Sequence, residues 1–382
     1  MSAETQKNIP VLRFSEFSGA WEEEELGELG KFRGGGTPDT TNAEYWIGNI
    51  PWISSSDILD DSIQKISISR TITDKAIKDS ATKIIPVNSI LIVSRVGVGK
   101  LAVSNIALCT SQDFSNFTPQ SDNALFIAYY LNKHQTKLLS LCQGTSIKGL
   151  TVPDLQSLKI DIPSPEEQKK IAAFLSVVDE RIEYLTQKKA LLEQYKKGMM
   201  QKLFSQEIRF KDDSGNTFPD WEEKRLGDVL QVGSGRDYKH LKSGDIPVYG
   251  TGGYMTSVNK FLYDGESVCI GRKGTINKPM YLNEKFWTVD TLFYTHSFSF
   301  SVPKFIYAIF QTINWKKHNE ASGVPSLSKT TIEKIKRKIP SVPEQKKIAD
   351  FLSSLDDRID FIATELSQGQ EFKKGLLQQM FV

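Results

Sequence analysis

A chain of 382 residues is too long for one typical core and calls for two or more folded units. Its 39% hydrophobic, 10% aromatic and 25% charged residues exclude a disordered protein, and a net charge of +2 gives no bulk signal for nucleic acid. No apolar run approaches the roughly 18 residues of a membrane span, and MSAETQKNIPVLRF is not a secretory leader, so a cytoplasmic protein with no membrane partner is expected.

Residues 1–160 carry 15 basic and 17 acidic side chains, an acidic balance. Early in this stretch, Gly34-Gly35-Gly36 lacks the GxGxxG spacing and a preceding strand, which makes it a loop and not a dinucleotide site. The run Ser89-Ile90-Leu91-Ile92-Val93 reads as a strand. The segment Ser94-Arg95-Val96-Gly97-Val98-Gly99-Lys100 ends like a phosphate loop. Ser94 replaces its leading glycine, however, and Leu101 its magnesium-binding hydroxyl. A helical stretch from Leu125 to Leu139 follows.

At Ser164 the pattern changes: an N-cap serine, Pro165 in the first turn, and Glu166 and Glu167 at the positive end of a helix dipole. Ile171, Leu175, Val178, Ile182 and Leu185 then follow 4-3-4-3 spacing, which is a coiled-coil seam. No strong breaker precedes Gly198, so the helix runs about 40 residues, roughly 60 Å. Residues 205–340 hold 20 basic and 15 acidic side chains, with a strand at Ser267-Val268-Cys269-Ile270 and a helical stretch from Pro303 to Lys317. A second long helix opens at Ser341, Pro343 and Glu344, its seam formed by Ile348, Leu352, Leu355, Ile359, Ile362 and Leu366.

These elements are two copies of one plan. PSPEEQKKIAAFLSVVDERI from Pro163 aligns without gaps to PSVPEQKKIADFLSSLDDRI from Pro340, a shift of 177 residues. At the same shift Arg95 and Gly97 fall on Arg272 and Gly274. Near the front, Trp21-Glu22-Glu23 recurs as Trp221-Glu222-Glu223 at a shift of 200, so the first globule is longer by about 23 residues.

Catalysis finds little support. His134, His240, His296 and His318 have no nucleophile or carboxylate at a recognisable spacing. Cys109, Cys142 and Cys269 are isolated and read as buried core thiols, with no metal-ligand pattern. No Asn-Pro-Pro-Tyr or Asp-Pro-Pro-Tyr segment is present, and Pro219-Asp220 with Glu222-Glu223-Lys224 is too compact for a nuclease signature.

The order of variable globule, EEQKKIAAFLSVVDERI helix, second globule and PEQKKIADFLSSLDDRI helix ending in KKGLLQQMF closely resembles the specificity subunit of type I restriction-modification systems. LGELGKFRGGGTP, NIPWISSSDI, GTSIKGLTVPDL and GVPSLSKTTIEKI add to the match, which covers essentially the whole chain. The resemblance implies an α+β protein with a pseudo-twofold internal duplication. Two mixed α/β target recognition domains, residues 1–162 and 205–339, would be separated by two long antiparallel coiled-coil helices, 163–204 and 340–382.

It further implies a non-catalytic subunit that reads a bipartite, asymmetric site in double-stranded DNA. Two methyltransferase subunits and two restriction or motor subunits would be its partners, and S-adenosylmethionine, ATP and Mg2+ would belong to them. A coiled-coil scaffold or decoy subunit that binds proteins is the alternative. Candidate DNA-contacting residues are Arg95 and Lys100 in the first head and Arg272, Lys273 and Lys278 in the second. The polar loops Ser54-Ser55-Ser56 and Thr145-Ser146-Ile147-Lys148 come next. Docking candidates are the polar faces Gln168-Lys169-Lys170 and Gln345-Lys346-Lys347, with Lys196, Lys197, Lys373 and Lys374.

Overall fold

A computed structural model describes residues 8–142 and 149–382. The chain is α+β and divides into two compact units, Met1–Thr186 with Glu365–Val382, and Gln187–Thr364.

In the first unit, Ile90–Val93 is buried on both faces, as its unbroken apolar run requires. It lies between Phe114–Pro119 and Leu101–Val103 in an antiparallel sheet whose edge is Gly30–Gly34. A second sheet has the order Arg70–Ile72, Ile50–Ile53, Leu108–Thr110, Ile84–Ile85, with its central pair parallel. Glu22–Glu25, a poor strand sequence, is held extended by antiparallel pairing with Lys159–Ile162, where Lys159 meets Glu23 at 2.8 Å.

The second unit repeats this plan with one larger sheet. Its order is Gln231–Ser234, Leu292–His296, Tyr263–Gly271, Met280–Thr288, Ser243–Gly250, Gly253–Val258. Glu222–Arg225 pairs with Lys336–Ile339, and Lys336 meets Glu223 at 2.8 Å. A parallel strand pair recurs too, Val248 opposite Trp287 matching Trp52 opposite Cys109.

The long helices span Pro165–Phe204 and Val342–Met380. In each unit a stretch of one runs antiparallel to a stretch of the other over the apolar seam. Leu175 and Leu185 are buried in the first unit, Leu352, Leu355 and Ile359 in the second. Asp179 pairs with Lys373 at 2.6 Å in the first unit, and the Tyr129 hydroxyl donates to the same carboxylate at 2.7 Å. The second unit holds the reciprocal pair, Lys196 with Asp356. Asp179 and Asp356, like Lys196 and Lys373, are 177 residues apart, so the duplication exchanges partners as a twofold relation does.

Both helix starts are anchored alike, although not as helix-dipole chemistry predicts. Glu167 and Glu344 are buried and receive bidentate bonds, from Arg13 at 2.8 and 2.7 Å and from Arg209 at 3.1 and 2.9 Å. The Ser164 backbone carbonyl accepts from Gln168, and that of Ser341 from Gln345. The expected Ser341 side-chain cap is not made, because its buried hydroxyl has no partner.

Candidate nucleic-acid interface

In each globule a short connecting segment draws two loops to one edge. The N–H of Ser111 donates to the Ile53 carbonyl, while the Asp113 carbonyl accepts from Ser94 and Arg95. The Ser54 loop and the Arg95 turn therefore lie on either side of residues 111–113. In the second unit Val289 N–H donates to Tyr249 and Arg272 N–H donates to Thr291, at 3.0 and 2.7 Å. The turns themselves require glycine: Gly97 and Gly274 sit at φ +89 and +90, where a side chain would be strained.

Behind each turn stands a short capped helix. Leu150 N–H donates to Ser94 and Leu327 N–H to Arg272, after which Thr151 caps Val152–Gln156 and Ser328 caps Lys329–Lys334. Turn and helix enclose an open cleft, lined in the first unit by Arg95, Gln112 and Thr151 and in the second by Arg272, Lys273 and Lys329. Glu320 in the second cleft is engaged by the Thr331 hydroxyl, which does most to draw its carboxyl below the usual range, and by the Ser328 hydroxyl and N–H at 2.8 and 3.2 Å.

Arg95 and Lys273 are exposed and make no ion pair among the described residues, and the same holds for Lys278. Arg272 donates to the Asp290 carbonyl at 3.4 Å with its guanidinium 6.0 Å from the Phe293 ring centre. Lys100 instead pairs with Asp60 at 2.7 Å. Ser54 turns inward: its hydroxyl bonds Asp57, and Arg70 donates to both at 2.6 and 3.0 Å. Burial pushes the Asp57 carboxyl up, but donation from Ser54 and Arg70 outweighs this and holds it below its ordinary value. Ser55 is half-buried and Ser56 exposed, while Lys148 lies outside the described residues.

Arg70 was not singled out by its sequence context. It stands opposite Trp52 in the strand register, 4.4 Å from the indole centre and partly exposed, a placement that only the sheet creates.

The segment Ser94–Lys100 joins two antiparallel strands and enters no helix, which removes the phosphate-loop geometry. The glycine run does follow a strand, Gly30–Gly34, contrary to expectation, but Gly35 and Gly235 fit where a Cβ would collide with the carbonyls of Ser111 and Val289, so the run serves close backbone approach. Burial pushes the Cys109 thiol to about 11 and Cys269 to about 12, leaving both protonated. Cys142 is half-exposed, not buried as expected. Among the described residues no group of three His, Cys, Asp or Glu could hold a metal, and no helix is long and apolar enough to cross a membrane.

On the helices, Gln168 and Gln345 do not face outward. Both are buried, the Gln168 amide bonding Asp122, Asn123 and Pro163, and the Gln345 amide bonding Phe300, Val302 and Pro340. They fasten helix to globule. Lys196 and Lys373 are spent on the reciprocal ion pairs, at 14% and 15% exposure. Lys170 pairs with Glu16 and Lys347 with Asp213, whereas Lys169, Lys197, Lys346 and Lys374 are exposed. Four exposed aromatics were overlooked: Tyr184 and Phe361, and Tyr195 and Phe372. Each pair repeats at the 177-residue shift, a signal the sequence already contained.

The family described as type I restriction modification DNA specificity domain matches residues 19–194 and again 219–368. The MjaIX specificity subunit of a type I restriction enzyme from Methanocaldococcus jannaschii is 35% identical over 229 residues, covering 56% of this chain and 52% of that protein. That match spans about half the length of the relative. The MjaVIII specificity subunit of the same organism is 25% identical over 414 aligned positions, covering 94% and 91%. The crystal structure of a type I restriction-modification S subunit from M. genitalium shares the fold, with a TM-score of 0.71 at 20% identity over 98% of this chain and 99% of that one.

Proposed function

Because the chain belongs to the type I restriction modification DNA specificity family, we propose that its two globules read the two unlike halves of one bipartite duplex DNA sequence. In this reading the long helices set the spacing between the halves, and each half docks one methyltransferase subunit. The observation that carries it is the repeated cation-bearing edge: Arg95 and Arg272 occupy matching turns, while the loops beside them differ. Arg95, Arg272, Lys273 and Lys278 are assigned to phosphates, with Ser55, Ser56 and Lys148 alongside them. Lys100 reaches DNA only by leaving Asp60.

The chain supplies recognition and no bond chemistry. Methyl transfer with S-adenosylmethionine, and ATP- and Mg2+-dependent translocation and cleavage, belong to two methyltransferase and two motor-nuclease subunits. Arg95→Ala or Arg272→Ala in the methyltransferase complex is expected to weaken duplex binding roughly tenfold on matched and unmatched sequences alike. The slope of log K against log salt should fall by about one per cation removed. Filter binding across a salt series measures both. Affinity and slope unchanged in both variants would take these turns out of the interface.

A further inference from the structure

Resting on that reading, we propose that the hairpin Ser243–Gly250/Gly253–Val258 is the base-reading ribbon of the second head, with Tyr254 and Met255 as its specificity-determining side chains. The hairpin forms the edge of the six-stranded sheet, closed by a two-residue turn whose following Gly253 has φ +107. Tyr254 and Met255, directly after this turn, are 63% and 52% exposed. Tyr254 packs on the Tyr249 side of the hairpin, and Met255, at the register shift, lies over Gly250 on the other. Large side chains left in water on both faces of a sheet-edge hairpin mark a contact surface.

Position decides what that surface meets. Thr251, in the hairpin turn, lies against Gly271, where an added Cβ would come 3.2 Å from its methyl, and near Gly274. The ribbon tip is thereby packed on the turn that carries Arg272 and Lys273, so cations for phosphate and exposed ring and thioether for bases share one edge. A two-stranded ribbon fits the DNA major groove, where a thymine methyl accepts apolar contact and a tyrosine hydroxyl can hydrogen-bond a base edge. The Tyr254 hydroxyl already reaches the Ser257 Oγ at 3.1 Å, which orients the ring.

The first head supports the assignment by its difference. Its matching strands, Ile50–Ile53 and Arg70–Ile72, pair antiparallel in the same way, but the connection is the long stretch from Ser54 to Ser69. Much of the extra length of the first globule therefore lies at the ribbon tip, on a frame the two heads otherwise share. Here Arg70, opposite Trp52 as Thr256 is opposite Val248, stands over the indole and binds Ser54 and Asp57 at the start of the long connection. Two heads with one frame and unlike tips read unlike half-sites.

The test is selection from a randomised duplex pool by the full chain in its methyltransferase complex, comparing the parent with Tyr254→Ala and Met255→Ala. Both side chains are exposed, so neither truncation opens a core. The parent is expected to enrich a two-part sequence. Each variant should keep one half-site unchanged and relax preference at one or two positions of the other by roughly tenfold. Variants that enrich the parent sequence at every position would overturn the ribbon assignment while leaving the bipartite reading intact. A parent complex that enriches no sequence would overturn the bipartite reading itself, and the ribbon assignment with it.

Discussion

If each half docks one methyltransferase subunit, as proposed, a chain carrying Tyr195→Asp and Phe361→Asp is expected to lose one of them, and Tyr184→Asp with Phe372→Asp the other. Tyr195 and Phe361 both belong to the second unit, Tyr184 and Phe372 to the first. All four are between 50% and 64% exposed and lie on the two long helices outside the apolar seam. Their repetition at the 177-residue shift is what docking of two identical partners on a duplicated chain requires. Buried aromatic anchors are each worth about 2–4 kcal/mol, so placing two carboxylates in one interface should abolish that association at micromolar concentration. Native mass spectrometry counts the copies. Two methyltransferases retained by both double variants would place docking elsewhere, on Lys169, Lys197, Lys346 and Lys374 or on the globules.

Glu344→Ala should destabilise the second unit by about 1.5–3 kcal/mol, and Glu167→Ala the first by a similar amount, because each removal takes two charge-assisted bonds from an arginine that keeps only backbone carbonyls and, for Arg209, the exposed Asp220 at 3.5 Å. The sites are separate, so the effects are local. In Glu344→Ala, hydrogen exchange should rise in residues 205–220 and at the start of the second long helix, with residues 8–20 unchanged; Glu167→Ala should give the converse. Aromatic packing repeats beside each pair, Phe14 on Phe174 at 5.8 Å and Phe210 on Phe351 at 5.7 Å, and keeps the arm positioned in the parent. Exchange that stays at parental levels near both arginines would show that these pairs contribute little.

The long helices were legible because a 4-3-4-3 apolar seam is a local pattern that tertiary packing has no reason to override. The same sequence misled at their first turns. Glu167 and Glu344 look like exposed dipole acids, and Gln168 and Gln345 look like solvated polar faces. Their partners, Arg13, Arg209 and the loops ending at Asn123 and Val302, come from distant segments that only folding brings near. Arg95 and Arg272 could be located through the duplication, whereas Arg70 could not, because its standing over Trp52 follows from strand register. Lys100 and Ser54 were visible as polar groups, but their partners Asp60, Asp57 and Arg70 were not. The hairpin at Tyr254 escaped because its neighbours in space, Gly271 and Gly274, are not its neighbours in the chain.

In the proposed reading one chain bears two dissimilar reading heads. Mapping methylated adenines in a host genome with and without this chain tests it most directly. The expected result is a two-part asymmetric sequence, with a fixed unspecified gap, whose methylation disappears when the chain is removed. Methylation unaffected by that removal, or confined to one contiguous or palindromic sequence, would contradict it.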